Sequence, residues 1–347
     1  MTKFNWAQCA LIGVTAALGL SSQPAGAQDE IAEFYRSKPV TMIVAGGVGG
    51  GYDVYARVLA RYLRKHIPGE PGVVVQNMPG AAGIAAMNHM YNRADRDGSV
   101  MAASDSITPF SSLLEMNASK YDPQQFGWIG SIGKQISICV AWHTSPFHTV
   151  KDVMDKPMRV SGTGATGWRS ILPKIINATA KANFVPITGY STAESLLAVE
   201  RGEVDGACPT YDTLAAVKPH WVEQKLVRTL FHFALEQVPE LEGVPSILDY
   251  VVDPTDRAAL ELILAQQTTG RPVLVPPGVP VARLRALRSA FAATMKDSEL
   301  IEEAKRIGLL INPVEADAME ALINNAYSRP PAIVERAKAL LAQATKK

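Results

Sequence analysis

The chain reads as an α/β protein, with parallel, doubly wound sheet divided over two domains, and three observations carry that reading. Short apolar runs alternate with segments of helical period along most of its length. Glycine-rich stretches stand at the joins between run and helix, where open sheets of this kind place their ligands. About 320 of the 347 residues remain beyond an N-terminal leader, more than one compact core usually serves.

The leader is residues 1–27. Its single charge is Lys3, an apolar run follows from Ala7 to Leu20, and Ala25-Gly26-Ala27 supplies the small residues of a cleavage site before Gln28. The run is about 14 residues where a membrane span needs roughly 20, so a cleaved secretory signal peptide and a periplasmic location are expected. Without Lys3 the chain carries 33 basic and 33 acidic residues. That balance gives no electrostatic case for a nucleic-acid partner or an anionic membrane surface.

The elements follow in order. "KPVTMIV" (38–44) reads as a buried strand, and Asp53 to Ile67 as a helix with Val54, Val58, Leu59, Tyr62 and Leu63 on one face. "GVVVQNM" is a second strand, "PGAAGIAAMNHMYNRA" a glycine-rich turn into a second helix, and "GSVMAAS" a third strand. "ISICVAW" (136–142) and "MRVSGT" (158–163) continue the strands, and a helix follows Gly167. Pro173 is tolerable there only in the first turn. Ser191 and Glu194 have capping-box spacing at the head of a helix that Gly202 can close. "EVDGAC", "KLVRTLFHF" and "RPVLVPPGVP" are further strands, and from Val281 the chain reads as helical to its end.

Cys139 and Cys208 lie in apolar strand-like segments where small buried thiols are common. In an oxidising compartment they could pair, and spacing alone leaves that open. No CxxC pair is present and the six histidines show no metal-ligand spacing, so neither a metal nor a cofactor is expected.

Two loops carry the candidate chemistry. In "AGGVGGGYD" (45–53), bare backbone leads into a helix start, where N–H groups and the helix dipole favour an anion. A nucleotide does not fit. Gly51 is followed by Tyr52 and Asp53 rather than Lys-Ser or Lys-Thr, and counting from Gly46, Gly47 or Gly49 the third or sixth place of a dinucleotide fingerprint is filled by Val48, Tyr52 or Val54. The second loop, "SGTGATGWRS" (161–170), again joins a strand to a helix and adds hydroxyls and Arg169, whose guanidinium suits a carboxylate. A ligand-free turn remains the plain alternative for the first loop.

From about Ser37 to about Tyr327 the chain resembles the periplasmic substrate-binding receptors of tripartite tricarboxylate transporters, the Bug or TctC-like family. The resemblance rests on ordered blocks: "SKPVTMIVAGGVGGGYDVYARVLARYL", "VVVQNMPGAAGIAAMN", "ADRDGSVMAAS", "YDPQQFGWIGSIG", "FVPITGYSTAESLLAVERGEVDGA", "VPELEGVPSILD" and "VLVPPGVPVARLRALRSAFAATMKDSELIEEAKRIGLLINPV". It implies a two-lobed, type II-like periplasmic-binding-protein fold. Each lobe would be a mostly parallel sheet flanked by helices, with the ligand cleft between. Lobe 1 would be 38–132 plus 245–347 and lobe 2 would be 133–244.

Carried over by position, the ligand would meet Ala45, Gly46, Gly47, Val48, Gly49, Gly50, Gly51, Tyr52 and Asp53 in the first loop. Ser104, Asp105 and Ser106 would follow the third strand. Gly164, Thr166, Gly167, Trp168, Arg169 and Ser170 would face them from lobe 2, with Tyr190, Thr210 and Tyr211 completing the cleft. The chain departs from the family at Ala45-Gly46-Gly47, where proline and an aromatic are common, and at Pro209, where a small or polar residue such as Asp is common. Without an acid at 209, a plain carboxylate or aromatic acid is expected rather than an ammonium-bearing ligand.

The resemblance implies a non-enzymatic, monomeric receptor that hands a di- or tricarboxylate or aromatic acid to large and small multi-span membrane subunits. A ligand sensor for a membrane kinase would differ only in partner. A hydrolase would have to use His89, Ser104 and Asp105, and no GxSxG elbow surrounds any serine.

Overall fold

The computed structural model describes residues 25–114, 119–162, 164 and 167–346. The expected leader falls almost wholly outside them. Helix α1 (Ala25–Ser37) leads into β1 (Val40–Val44), α2 (Gly51–His66), β2 (Val73–Asn77), α3 (Ile84–Asn92), β3 (Val100–Ala103) and β4 (Gly127–Ser131). A second sheet is then built by β5 (Ile138–Trp142), α4 (Val150–Asp155), β6 (Met158–Ser161), α5 (Trp168–Ala180), β7 (Phe184–Ile187), α6 (Thr192–Glu200), β8 (Gly206–Ala207), α7 (Tyr211–Val217), α8 (Pro219–Glu223) and β9 (Val227–His232). The chain returns through α9 (Pro254–Thr269) to β10 (Pro272–Val275), α10 (Val281–Thr294), α11 (Ser298–Arg306), β11 (Val314–Glu315), α12 (Ala316–Tyr327) and α13 (Pro331–Thr345).

The first sheet has strand order β11-β4-β10-β3-β1-β2 and the second β7-β6-β8-β5-β9. β1 runs parallel to β2 and β3, and β6 parallel to β7 and β8. β10 is antiparallel to β3 and β4, β11 to β4, and β5 to β8 and β9. Each half is therefore a mixed sheet flanked by helices. The parallel strands expected from the strand–helix alternation form one side of each sheet, and the strands that return to a sheet from elsewhere run against them.

Both faces of each sheet are covered, which is why their strands read as continuous apolar runs. On β1, Val40, Met42 and Val44 pack with α2 and α10 in one core, while Ile43 turns to the other face with Ala102, Leu274 and Trp128 beneath α3 and α12. On β5, Cys139 and Ala141 join α5, α9 and α13, while Ile138 and Val140 face α6 and α7. The two-residue period of a strand places neighbouring side chains in separate cores. β10 and β11 thus belong to the first sheet, while α9 and α13 pack on α5 beside the second.

Two local expectations meet a different outcome, the cysteine pairing left open is decided, and the expected capping box is present. Pro173 falls in the second turn of α5, not the first, where its ring has no N–H to give. The helical reading beyond Val281 is broken by β11, which pairs with β4 through Val314 and Glu315. Cys139 and Cys208 form a disulfide, with Cα atoms 4.1 Å apart. The capping box is present as read: Ser191 Oγ accepts from the Glu194 N–H and Glu194 accepts from the Ser191 N–H. No helix among the described residues is long and apolar enough to cross a membrane.

Candidate functional site

The loop after β1 is organised by one carboxylate. Asp53, 2% exposed in the first turn of α2, accepts from the Gly49 N–H at 2.8 Å, from Arg57 Nε at 2.9 Å and from Asn77 Nδ2 at 2.8 Å. Asn77 also donates to the Gly46 carbonyl at 3.0 Å. The Arg57 guanidinium, aided by the Gly49 N–H and Asn77, pulls the Asp53 carboxyl down to about 2 against the cost of burial. Gly49 has φ +77°, a backbone that L side chains rarely adopt. Gly47 to Gly51 are exposed, and Val48 is 79% exposed at the loop's tip.

Between the two sheets lies a cavity of about 280 Å³. Tyr52, Asp105 and Ser106 line it from the first sheet, and Trp168, Arg169, Cys208, Thr210 and Thr213 from the second. Gln135, from the crossing between the sheets, and Gln266 and Gln267, from the end of α9, close its base. A larger hollow of about 760 Å³ lies under the 234–249 loop. It is fed by that loop rather than by the two sheets, so the smaller cavity is the candidate site.

Tyr52 ties the cavity floor together. Its hydroxyl donates to Gln135 Oε1 at 3.2 Å and accepts from the Ser106 N–H at 3.1 Å, and burial pushes its pKa well above the usual phenol range. Asp105 accepts from the Ile107 N–H at 3.1 Å, and burial raises its carboxyl. On the facing wall, Trp168 Nε1 donates to Ser137 Oγ at 3.2 Å. Arg169 donates to Ser195 Oγ at 2.8 Å, and desolvation lowers its guanidinium while the Asp212 charge opposes that shift.

These positions follow from local chain geometry. Trp168 and Arg169 are in the first turn of α5, whose N-cap is Gly167. The preceding loop can reach them because Gly162 has no side chain: a Cβ there would lie 2.2 Å from Ser170 Oγ. Thr210 is held beside Thr213 by a hydroxyl contact of 2.8 Å. The disulfide fixes Cys208, at the end of β8, to β5.

Of the residues expected in the cleft, Tyr52, Asp105, Ser106, Trp168, Arg169 and Thr210 line this cavity. Ala45, Gly46, Gly47, Val48, Gly49, Gly50, Gly51 and Asp53 form the loop beside it. Ser104, Ser161 and Ser170 are buried hydroxyls with no hydrogen-bond partner among the described residues. Gly164 and Gly167 shape the turn before α5, joined by a 2.9 Å backbone bond, and Thr166 lies outside the described residues. Tyr190 bonds Glu203 at 3.3 Å and Tyr211 packs on the second sheet's core, so neither reaches the cavity. His89 makes no side-chain hydrogen bond to Ser104 or Asp105 among the described residues.

The sequence reading missed Gln135, Thr213, Gln266 and Gln267. The paired amides of "LAQQTT" in an otherwise apolar helix were the available signal. It also missed a buried ion pair behind the cavity. Arg271, at the start of β10, meets Asp212 on α7, with the guanidinium 3.7 Å over the Tyr55 ring. Arg271 Nε, Arg271 Nη1 and Asp212 Oδ1 have no other partner among the described residues.

No family model matches the chain. Among curated proteins it is 38% identical over 96 residues to the UPF0065 protein in the gbd 5′ region of Cupriavidus necator, covering 28% of each chain. It is 37% identical over 102 residues to Protein BugT of Bordetella pertussis, covering 29% of this chain and 30% of that one. These two matches thus span under a third of the relatives' own length. A UPF0065 protein from Agrobacterium vitis matches over 90% of this chain and 86% of its own at 27% identity.

Among solved structures, a TctC solute binding protein from Polaromonas superposes with TM-score 0.71 at 19% identity, covering 89% of this chain and 99% of its own. MatC from Rhodopseudomonas palustris, with bound malate, gives 0.58 at 16% identity over 88% and 99%. Another R. palustris protein, with adipate, gives 0.61 at 17% identity over 87% and 97%. At these identities the likeness is one of fold.

Proposed function

We propose that the chain is a member of the Bug family of TctC-like proteins, which it resembles in sequence blocks and in fold, and that it is a periplasmic solute-binding receptor for a small carboxylate. The single observation that carries this reading is the 280 Å³ cavity between the two sheets, lined from both and carrying the Arg169 guanidinium on one wall. Hydroxyls and amides from Tyr52, Ser106, Gln135, Thr210 and Thr213 share the lining with the Asp105 carboxyl and the Trp168 ring. Such a lining orients a polar anion through hydrogen bonds and offers no activated nucleophile.

In this reading the two sheets are the two lobes, and the crossings at 132–137 and 233–271 serve as hinge. Ligand contacts to both walls stabilise the closed form, as any ligand that binds one state better must. The loaded receptor then delivers its cargo to a membrane transporter of the tripartite tricarboxylate type. The fold's occurrence in proteins holding malate and adipate supports the carboxylate assignment.

The test is thermal unfolding of the protein against a panel of mono-, di- and tricarboxylates, aromatic acids, amino acids, neutral sugars and cations. A binder of the native state at 100 times its Kd adds about 2.7 kcal/mol and raises the melting temperature visibly. A shift from a carboxylate is the expected result. If only a sugar or a cation shifts melting, the assignment is wrong.

A further inference from the structure

We propose that the ion pair between Arg271 and Asp212 is a latch between the two halves of the molecule, which holds the cleft shut and must break before the halves part. The inference rests on the reading of the two sheets as hinged lobes and adds the contact that governs their opening.

The pair joins two bodies. Arg271 is fixed in the first sheet, where its N–H donates to Ser131 Oγ at 3.0 Å and its carbonyl accepts from the Ile132 N–H at 3.1 Å. Its guanidinium lies 3.7 Å over the ring of Tyr55, on α2 of the same half. Asp212 is in the first turn of α7, whose Leu214 packs in the second sheet's core. β10 is antiparallel to β3, so Arg271 stands at the end from which Asp105 and Ser106 reach the cavity. Asp212 lies between Thr210 and Thr213, which line the cavity from the other side. The pair therefore spans two facing walls, and any parting of those walls pulls it apart.

The closed arrangement satisfies this pair only in part. The two side chains are 6% and 8% exposed, yet Arg271 Nε, Arg271 Nη1 and Asp212 Oδ1 have no hydrogen-bond partner among the described residues. A buried pair with unfilled hydrogen-bonding capacity recovers little beyond its own desolvation. When the walls part, water reaches those atoms and Arg271 keeps the face of Tyr55. The pair can thus be given up without stranding a charge, which suits a contact that opens and closes. The seam beside it is loosely filled. A hollow of about 350 Å³ is lined by Ala215 of α7 on one side and by Ile301, Leu309 and Ile311 of the first half on the other. Packing adds little to the tie where such a gap stands.

The test is the distance between spin labels at Val48→Cys and Thr188→Cys, measured by pulsed dipolar electron resonance. Both positions are exposed, on the loops that follow β1 and β7, while Cys139 and Cys208 are buried in their bridge. The labelled background should give chiefly one distance. Asp212→Asn strands the guanidinium in the closed form alone, so a second, longer distance should grow about tenfold or more. Arg271→Met/Asp212→Leu places apolar chains at the seam and should return the distribution to that of the background. The latch is overturned if Asp212→Asn keeps the background distribution or if the double variant stays as open as the single one. It is overturned too if circular dichroism shows Asp212→Asn unfolded rather than open, since the pair is then a contact of the fold. Melting of the unlabelled protein against the panel above separates the two readings. If no distance moves while a carboxylate raises the melting temperature, the latch is wrong and the receptor reading stands. If Asp212→Asn opens and no carboxylate binds, the latch stands and the carboxylate assignment falls; if neither occurs, both fall.

Discussion

Removing the Cys139–Cys208 bridge tests how the second sheet is held. The bridge closes a loop spanning 69 residues that contains α4, β6, α5, β7, α6 and β8. In the chain-entropy account a 15-residue loop contributes about 3 kcal/mol and a 100-residue loop about 4.7, so this one should contribute about 4. Both sulfurs are buried, so the reduced thiols stay as small apolar groups and little packing is lost. Urea unfolding of the oxidised protein, of the protein reduced by dithiothreitol, and of a Cys139→Ala/Cys208→Ala variant measures the difference directly. The reduced form should lose about 3–4 kcal/mol. The double variant should lose somewhat more, because two sulfur atoms leave a packed core. Mass spectrometry must first show the two-hydrogen difference between oxidised and reduced chains. A loss below about 1 kcal/mol would refute the entropic argument, and two free thiols in protein purified without reductant would refute the bridge.

Three further outcomes follow from particular contacts. Asp212→Asn leaves the Arg271 guanidinium buried without its counter-charge, so it should cost about 3–5 kcal/mol, while Arg271→Met/Asp212→Leu should come within about 1 kcal/mol of wild type in urea unfolding. Asp53, held at about 2 against an ordinary 3.8, lends stability that is full above the ordinary value and is lost as pH falls through 2. Because Arg57 is 41% exposed, screening reduces that contribution to about 1 kcal/mol, and Asp53→Asn should flatten the acid limb of a stability–pH curve by that amount. Gly50→Val/Gly51→Val should fold, since a Cβ at Gly51 meets nothing within 4 Å and one at Gly50 meets only the Gly47 carbonyl at 3.2 Å. It should lose ligand affinity tenfold or more by calorimetry; unchanged affinity would make the loop a turn and nothing else.

What could be read from the chain was what neighbours in sequence decide. The strand–loop–helix unit from Val40 to His66 depends on an apolar run, a glycine stretch and a helical stripe, all contiguous. The Ser191–Glu194 capping box is local in the same way. What escaped depends on partners far along the chain. β11 is two residues long and exists as a strand because β4 lies beside it. β10 runs antiparallel between β3 and β4, a direction fixed by the return path through α9 rather than by the residues of the strand. The disulfide needs β5 and β8 to be antiparallel neighbours, with Val140 opposite Ala207, and only that register brings Cys139 to Cys208. In the site, Tyr52 and Arg169 stand next to glycine signals and Asp105 follows the third strand, whereas Gln135 stands at a crossing between the sheets that no local pattern marks and Gln266 and Gln267 show only as paired amides at the end of α9.

The glycine loop invites one more step. A helix N-terminus attracts an anion because its first N–H groups lack partners. In the loop before α2 the chain already places an anion, since Asp53, in the helix's first turn, takes the Gly49 N–H and is fixed in turn by Arg57 and Asn77. A ligand carboxylate approaching this loop would meet a carboxylate already in place, of lowered pKa and so charged at every pH above about 2. Like charge at close range disfavours a second anion there. Positive charge is instead available on the facing wall, where Arg169 opens on the cavity. Under the proposed receptor reading the first loop would act by shape, beside Tyr52 and the end of β3, and the charge selecting a ligand's acid group would come from α5. Exchanging Arg169 for Gln should therefore weaken a carboxylate far more than exchanging Asp53 for Asn; the reverse order in calorimetry would return the anion to the helix end of α2.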